Sequence, residues 1–305
     1  MAYNIKSIRK EFKNKGIFYT SDEMAKTIKH YANKDRPINV YDPTCGDGSL
    51  LSVFDDDIPK YGQEINEEQL SVAKERLKNF TGICGDTLKE PAFMDMRFDL
   101  IVANYPFSIS WEPKLDVRFE NAPCLAPKSK ADYSFILHIL YLLANDGIAV
   151  VLGFPGILYR MNAEGKIRQW LVENNYIERV VLFPGDKFVD TKISTILLVL
   201  RKDKKKSDIV FEDYEHQKVR EVSIEEIKNN NFNLSVNTYI NIEQPREVID
   251  PLELDNSARK QFLRKLENEL VVQKTICQLD NNLKTLKEFI SDIKMIINEF
   301  ESQLT

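Results

Sequence analysis

The spacing of apolar positions changes character three times along the 305 residues. Residues 1 to 16 are basic and only weakly amphipathic. Met24, Ile28 and Tyr31 then recur at helical spacing behind Ser21, a residue suited to cap a helix start, so a helix is predicted over residues 21–31. From Ile38 short apolar runs alternate with amphipathic stretches. Strands are predicted at 38–41, 61–64, 82–84, 98–103, 148–153, 176–183 and 193–200, and helices at 66–78 (capped by Asn66), 132–143 and 163–174. Strands alternating with helices imply an α/β fold with a mostly parallel sheet covered on both faces. The last two strands follow one another with no helix between them, which predicts one antiparallel edge pair.

After residue 200 the pattern weakens. Arg201 to Lys206 (RKDKKK) reads as a solvated boundary, and 208–250 as small strands and turns. From Ile276 the third regime begins. Ile276, Leu279, Leu283, Leu286, Ile290, Ile293, Ile297 and Phe300 keep a strict 3-4 spacing, the a and d positions of a coiled-coil-type helix. So narrow and regular a seam favours pairing with another long helix over burial in its own domain. The expected organisation is an N-terminal helical segment (1–35), a catalytic core (36–205), an accessory segment and linker (206–255) and a long association helix (256–303).

Composition narrows the class. Hydrophobic residues at 43% and charged residues at 29% exclude disordered and fibrous chains. The longest nearly apolar stretch, Gly147 to Leu158, is broken by Gly and Pro and is too short to span a bilayer, so no membrane partner and a cytoplasmic location are expected. Four Cys (45, 84, 124 and 277) without a CxxC, and only three His, argue against a metal centre or a disulfide framework. With a net charge of -5, nucleic acid could be held only by a local basic face or through a partner.

The chemistry concentrates at strand ends. The first strand ends at Asp42 and runs into a loop, Asp42-Pro43-Thr44-Cys45-Gly46-Asp47-Gly48-Ser49, where glycines allow close approach of a ligand to the backbone. A lone GxG is weak evidence. The second predicted strand, however, ends in Glu64, followed by Ile65, and the third ends in Gly85, Asp86 and Thr87. A carboxylate after the second strand can accept both ribose hydroxyls, and one after the third can meet an adenine amino group. The ordered set points to a nucleoside. The fourth strand, FDLIVA, ends directly in Asn104-Tyr105-Pro106-Phe107.

At these residues the sequence resembles the S-adenosylmethionine-dependent amino-methyltransferases that carry an (N/D/S)PP(Y/F/W) motif, above all the modification subunit of type I restriction systems. GIFYT (16–20), DPTCGDGSLL (42–51), GQEIN (62–66), GDTL (85–88) and NYPF (104–107) stand in the family's order, followed by ADYSFILHIL (131–140), FPGILYR (154–160) and LFPGDKFVDTKISTILLVL (182–200). The resemblance covers about residues 16–240. It implies a class I methyltransferase fold with a seven-stranded sheet, S-adenosylmethionine as cofactor, and methyl transfer to the N6 amine of adenine in DNA. It further implies that Phe18, Tyr19 and Thr20 approach the cofactor beside the three strand-end loops. Asn104 and the carbonyl of residue 105 would accept the adenine N–H groups, Pro106 would stiffen the turn, and Phe107 would stack on the flipped base.

Tyr105 stands where the family usually has a first Pro, and restoring Pro there is expected to preserve or raise activity. Asp132 reads as a helix N-cap, Phe188 as a candidate second wall of the base pocket, and His138 as a satisfied core histidine. The resemblance also implies partners: DNA, a specificity subunit bound through the 276–300 seam and supplying target recognition in trans, and a restriction subunit as a further candidate. Two other readings use the same residues, a glutamine N-methyltransferase and a cofactor-binding scaffold with little catalysis.

Overall fold

The computed structural model describes residues 20–34, 36–185, 194–241, 251–279, 287–295 and 298. The chain divides into two compact units, Met1–Ile242 and Glu243–Thr305.

In the first unit α1 (Asp22–Ala32) starts at Ser21, whose hydroxyl accepts the Met24 N–H at 3.2 Å. β1 (Val40–Asp42), β2 (Lys60–Glu64), α2 (Glu67–Arg76), β3 (Phe80–Cys84) and β4 (Phe98–Ala103) follow. The Asn66 side chain caps α2 by accepting the N–H groups of Glu68 (2.9 Å) and Gln69 (3.1 Å). Every residue of β4 is buried, as its unbroken apolar run requires of a strand covered on both faces. Asp99 is tolerated there because it accepts the Ile38 N–H at 2.8 Å and pairs with Lys34. α3 (Asp132–Leu142), β5 (Leu143–Gly153), α4 (Asn162–Glu173), β6 (Ile177–Phe183) and β7 (Thr195–Arg201) complete the expected core.

The strands form one sheet in the order β3-β2-β1-β4-β5-β7-β6-β8-β9. Among the described residues it has nine strands, two more than the resemblance implies. β8 (Ile209–Asp213) pairs parallel with β6, and β9 (Lys218–Val222) pairs antiparallel with β8. Residues 209–222, expected in an accessory segment, thus belong to the same sheet: alternate β8 residues Ile209 and Phe211 are buried and join the main core cluster. The antiparallel pair β6–β7 exists, but not at an edge. β7 lies between β5 and β6, antiparallel to both, because TILLVL is buried at all six positions and needs a neighbour on each side.

The charge run after β7 also departs from its reading as a solvated boundary. Lys202 Nζ donates to the Leu143 carbonyl at 2.6 Å, and Lys204 Nζ to those of Ile177 (2.8 Å) and Ser207 (3.1 Å). Burial pushes both ammonium groups down to about 8. Short helices α5 (Ile224–Asn229) and α6 (Val236–Tyr239) close this unit. Its apolar side chains form two layers, one per sheet face. One contains Tyr41, Phe98, Ile101 and most of α3, and the other Met24, Ile28, Leu70, Leu100 and Val102.

The second unit contains α7 (Pro251–Leu279), which begins inside the stretch read as linker, with Pro in the first turn where its missing N–H costs nothing. Phe262, Leu263, Val271 and Val272 on it are exposed. Residues 287–295 are again helical, with Ile290 exposed and Ile293 partly buried. Leu283, Leu286, Ile297 and Phe300 of the predicted seam lie outside the described residues, and so do the side chains of Ile276 and Leu279. No described helix is long and apolar enough to cross a membrane.

Placing β8 in the core has a measurable consequence. The Phe211 ring is fully buried and lies 4.3 Å from that of Tyr239. Phe211→Ala should destabilise the whole first unit by about 3–5 kcal/mol in denaturant unfolding. A separate accessory segment would instead leave the main transition in place.

Candidate functional site

The sheet reverses its direction of growth between β1 and β4: β2 and β3 lie to one side of β1, and β4 and β5 to the other. Loops leaving the carboxyl ends of β1 and β4 part at this switch point and open a crevice. A cavity of about 620 Å³ occupies it, within the roughly 300–1,000 Å³ usual for small-molecule sites. Its walls include Thr44, Gly46 and Asp47 after β1, Glu64 and Ile65 after β2, Asp86 and Thr87 after β3, and Asn104 and Pro106 after β4.

The β1 loop is held from below by its own acids. Asp42 is buried and accepts the Thr44 N–H at 2.9 Å. Asp47 accepts the Ser49 N–H (3.0 Å) and hydroxyl (2.6 Å) on one oxygen and Arg76 on the other at 2.7 Å. Gly48 is required: its φ is +79°, and a Cβ there would lie 2.8 Å from Leu77 Cδ1. Glu64 ties two loops together, accepting the N–H of Gly46 and that of Asn66, each at 2.9 Å. Asp86 turns its own loop through the N–H groups of Leu88 (2.9 Å) and Lys89 (3.3 Å). Asp42, Cys45, Gly48 and Ser49 support the loop from behind rather than line the cavity.

This charge pattern selects a ligand class. Asp47, Glu64, Asp86 and Glu112 line the cavity against Lys89 and Lys128. Gly46 directs its N–H at a carboxylate, not at open space. A pyrophosphate would be repelled, whereas a phosphate-free nucleoside carrying positive charge is favoured. Among the described residues no cluster of side chains could hold a metal ion.

On the opposite wall Asn104 donates from Nδ2 to the Thr20 hydroxyl at 3.1 Å. Its Oδ1 is buried and has no hydrogen-bond partner among the described residues. An unsatisfied buried acceptor at a cavity wall marks where a ligand N–H belongs. Phe18, Tyr19 and Phe188 lie outside the described residues. Phe107 does not line the cavity: its ring packs at 4.2 Å on Phe154 and at 5.7 Å, edge-on, against Tyr105. Tyr105 is fully buried, with its ring stacked on Phe135 at 5.0 Å and 11°. Its hydroxyl has no partner among the described residues. The residue in the place of the first Pro is thus part of the core, and Phe135, which it supports, lines the cavity.

Asp132 is not the N-cap expected of it. Ala131 caps α3 without a side-chain bond, and the Asp132 carboxylate instead accepts the Ser108 N–H at 3.2 Å. Arg160 completes this support, reaching Glu164 at 3.0 Å, the Ser108 hydroxyl at 3.2 Å and Asp132 at 3.9 Å. Burial raises the pKa of Asp132, and Arg160 opposes the rise. Pattern reasoning missed Arg160 and Ser108, and also Trp111, which lines the cavity. His138 is a satisfied core histidine, as expected, with a partner on each ring nitrogen.

The comparisons decide the family. The N-6 DNA methylase family model matches residues 3–221. The chain belongs to that family. It is 32% identical to the type I restriction enzyme MpnII methylase subunit of Mycoplasma pneumoniae, over 93% of this chain and 61% of the relative. The crystal structure of a type I restriction-modification methyltransferase subunit from Streptococcus thermophilus superposes with a TM-score of 0.67 at 29% identity, covering 73% of this chain and 59% of that one. A structure described as a class I S-adenosylmethionine-dependent methyltransferase from Listeria monocytogenes gives 0.51 at 16% identity, covering 66% and 69%, and supports the fold alone. Against both type I relatives the N-6 DNA methylase chain spans only about 60% of their length. The fold is the class I methyltransferase fold.

Two predictions come from this geometry. Tyr105→Phe removes an unpaired buried hydroxyl and should hold or raise Tm. Tyr105→Pro empties the ring's place beside Phe135 and should destabilise by about 3–5 kcal/mol, lowering activity rather than raising it. Calorimetric melting of the two variants checks this. The second concerns Asp42, whose carboxyl is pushed up to about 7 by burial, with the Glu64 charge adding to the rise. The folded state then binds this proton more tightly than the unfolded chain, so stability falls as pH rises from about 4 to about 7. Asp42→Asn keeps an acceptor for Thr44 and should flatten the Tm–pH curve in that window.

Proposed function

We propose that this chain transfers the methyl group of S-adenosylmethionine to the N6 amine of adenine in DNA, as the modification subunit of a type I restriction-modification complex. The observation that carries the reading is Asn104 Oδ1, a buried acceptor without a partner among the described residues, on the wall of an acidic nucleoside-sized cavity. The adenine amine is a poor nucleophile because its lone pair is delocalised into the ring. Asn104 Oδ1 and the carbonyl of Tyr105 would accept its two N–H groups and favour a pyramidal nitrogen. Thr20 accepts the Asn104 Nδ2–H at 3.1 Å, which leaves Oδ1 available to the ligand. Bound S-adenosylmethionine would supply a methyl group on a sulfonium, an activated leaving group, so positioning would provide most of the catalysis. Glu64 would accept the ribose hydroxyls and Asp86 would face the adenine of the cofactor. The target base would have to leave the duplex to reach Asn104.

Target specificity would come from a partner subunit. The exposed apolar residues of α7 and the seam 276–300 are the proposed contact, since a regular narrow stripe of this kind suits another long helix. That the relatives are named methylase subunits of type I restriction enzymes supports a chain that works within a complex.

The test is methyl transfer to adenine-containing duplex DNA, to a glutamine peptide and to no acceptor, with and without the co-encoded specificity subunit. Asn104→Ala should abolish transfer to DNA while leaving cofactor affinity within about twofold, since it removes only an acceptor for the target. Glu64→Ala should weaken cofactor binding about tenfold or more by removing the charged acceptor. Full turnover by Asn104→Ala, or methylation of the peptide alone, would overturn the assignment. Charged substitutions at Leu286 and Ile290 should abolish complex formation in light scattering with cofactor binding retained.

A further inference from the structure

Between the NYPF turn and α3 the chain detours through residues 108–131. Ile109, Ser110, Trp111 and Glu112 of this strap line the cavity. A few residues on, Arg118 turns inward until its side chain has no exposed surface. Its guanidinium is fully used. Nε donates to Asp116 Oδ1 at 2.9 Å and Nη2 to Asp116 Oδ2 at 2.7 Å. Nη1 donates to the Thr87 carbonyl and Nη2 to the Leu88 carbonyl, both at 2.8 Å. Nη1 also lies 3.1 Å from His138 Nδ1. A guanidinium can only donate, so His138 Nδ1 is the acceptor and the imidazole is neutral with its proton on Nε2. That proton faces the Tyr41 hydroxyl at 3.2 Å, one residue before Asp42. Burial, with Arg118 adding, pushes the His138 pKa down to about 3, in keeping with the neutral ring.

Burying a cation is costly, and an aliphatic side chain would fill the same space without that cost. The return lies in the two carbonyls. Thr87 and Leu88 follow Asp86 in a turn with no neighbouring strand to hydrogen-bond them, and both residues line the cavity. We infer that Arg118 is a positioning residue for the cofactor: from the strap that lines the cavity after NYPF, it fixes the main chain of the Asp86–Leu88 turn. This rests on the proposed cofactor site and adds that the β3 turn and the strap share one support.

The test uses the full chain carrying Arg118→Met, Arg118→Lys or Asp116→Asn, with Glu64→Ala as the independent probe of the site. Isothermal titration with S-adenosylmethionine and with S-adenosylhomocysteine reads affinity, and methyl transfer to DNA with the specificity subunit reads KM for cofactor and kcat. Arg118→Met should weaken both ligands about tenfold or more, since it removes two charge-assisted bonds. Arg118→Lys and Asp116→Asn should fall between it and the parent. KM for the cofactor should rise while kcat at saturating cofactor stays within about twofold. If Arg118→Met does not fold, the other two substitutions carry the test. Unchanged affinity in the Arg118 and Asp116 variants, with Glu64→Ala weakened, would show that Arg118 only packs the core. A fall in kcat at constant KM would also overturn the inference, since it places the effect on turnover and not on cofactor binding. Unchanged affinity in Glu64→Ala as well would remove the cofactor site and this inference with it.

Discussion

The parallel pairing of β1 with β4 is the constraint on which the rest of the site depends. Val40 and Tyr41 lie opposite Leu100 and Ile101, so Asp42 and Asn104 leave the sheet beside each other although they are 62 positions apart in the chain. The pairing requires both strands to be buried on two faces, and they are. Once they are adjacent, the chain has to grow outward in both directions, and the crevice between the departing loops follows. Most of the cavity wall is loop leaving one of these strands or their neighbours, with Phe135 of α3 added.

The electrostatics of the crevice follow from what its loops need. Asp42, Asp47, Glu64 and Asp86 each spend at least one carboxylate oxygen on a main-chain N–H of a turn, and three of these acids, Asp47, Glu64 and Asp86, also line the cavity and charge it. Burial raises the Asp42 pKa and the Glu64 charge adds to the rise, and a ligand bearing positive charge would relieve that repulsion. Loop geometry and ligand preference are therefore one property of the same side chains.

Much of this was legible in the sequence. The FDLIVA run, buried throughout, could only be a central strand, and the Ser21 and Asn66 caps were readable because a capping side chain must be one of a few types. The acids at strand ends were readable because topology fixes where strand ends meet. What was not legible depends on competition between neighbours. β8 alternates too briefly to distinguish an edge strand from a surface turn, and only the exposed flank of β6 makes it a strand. Asp132 fits the N-cap profile by type and place, but the half-buried Arg160 and the Ser108 N–H offered its carboxylate a better site. Tyr105 was read against a motif position, whereas its ring answers to Phe135, which lies in a helix.

Part of the support of the cavity loops lies in a kind of contact that a motif does not record. Arg118 holds Thr87 and Leu88 by their carbonyls, and Asp132 holds Ser108 by its N–H. Every residue has those groups, so the partner leaves no trace in the identity of the residue it holds. Only the holder is visible, and a lone Arg or Asp between motifs is more often a solvated side chain. The motif acids Asp42, Glu64 and Asp86 hold their own turns by the same kind of main-chain bond, and further supports come from the strap 108–131, the start of α3 and the turn before α4. A substitution in those stretches is therefore expected to disturb the loops that the strand ends and NYPF form.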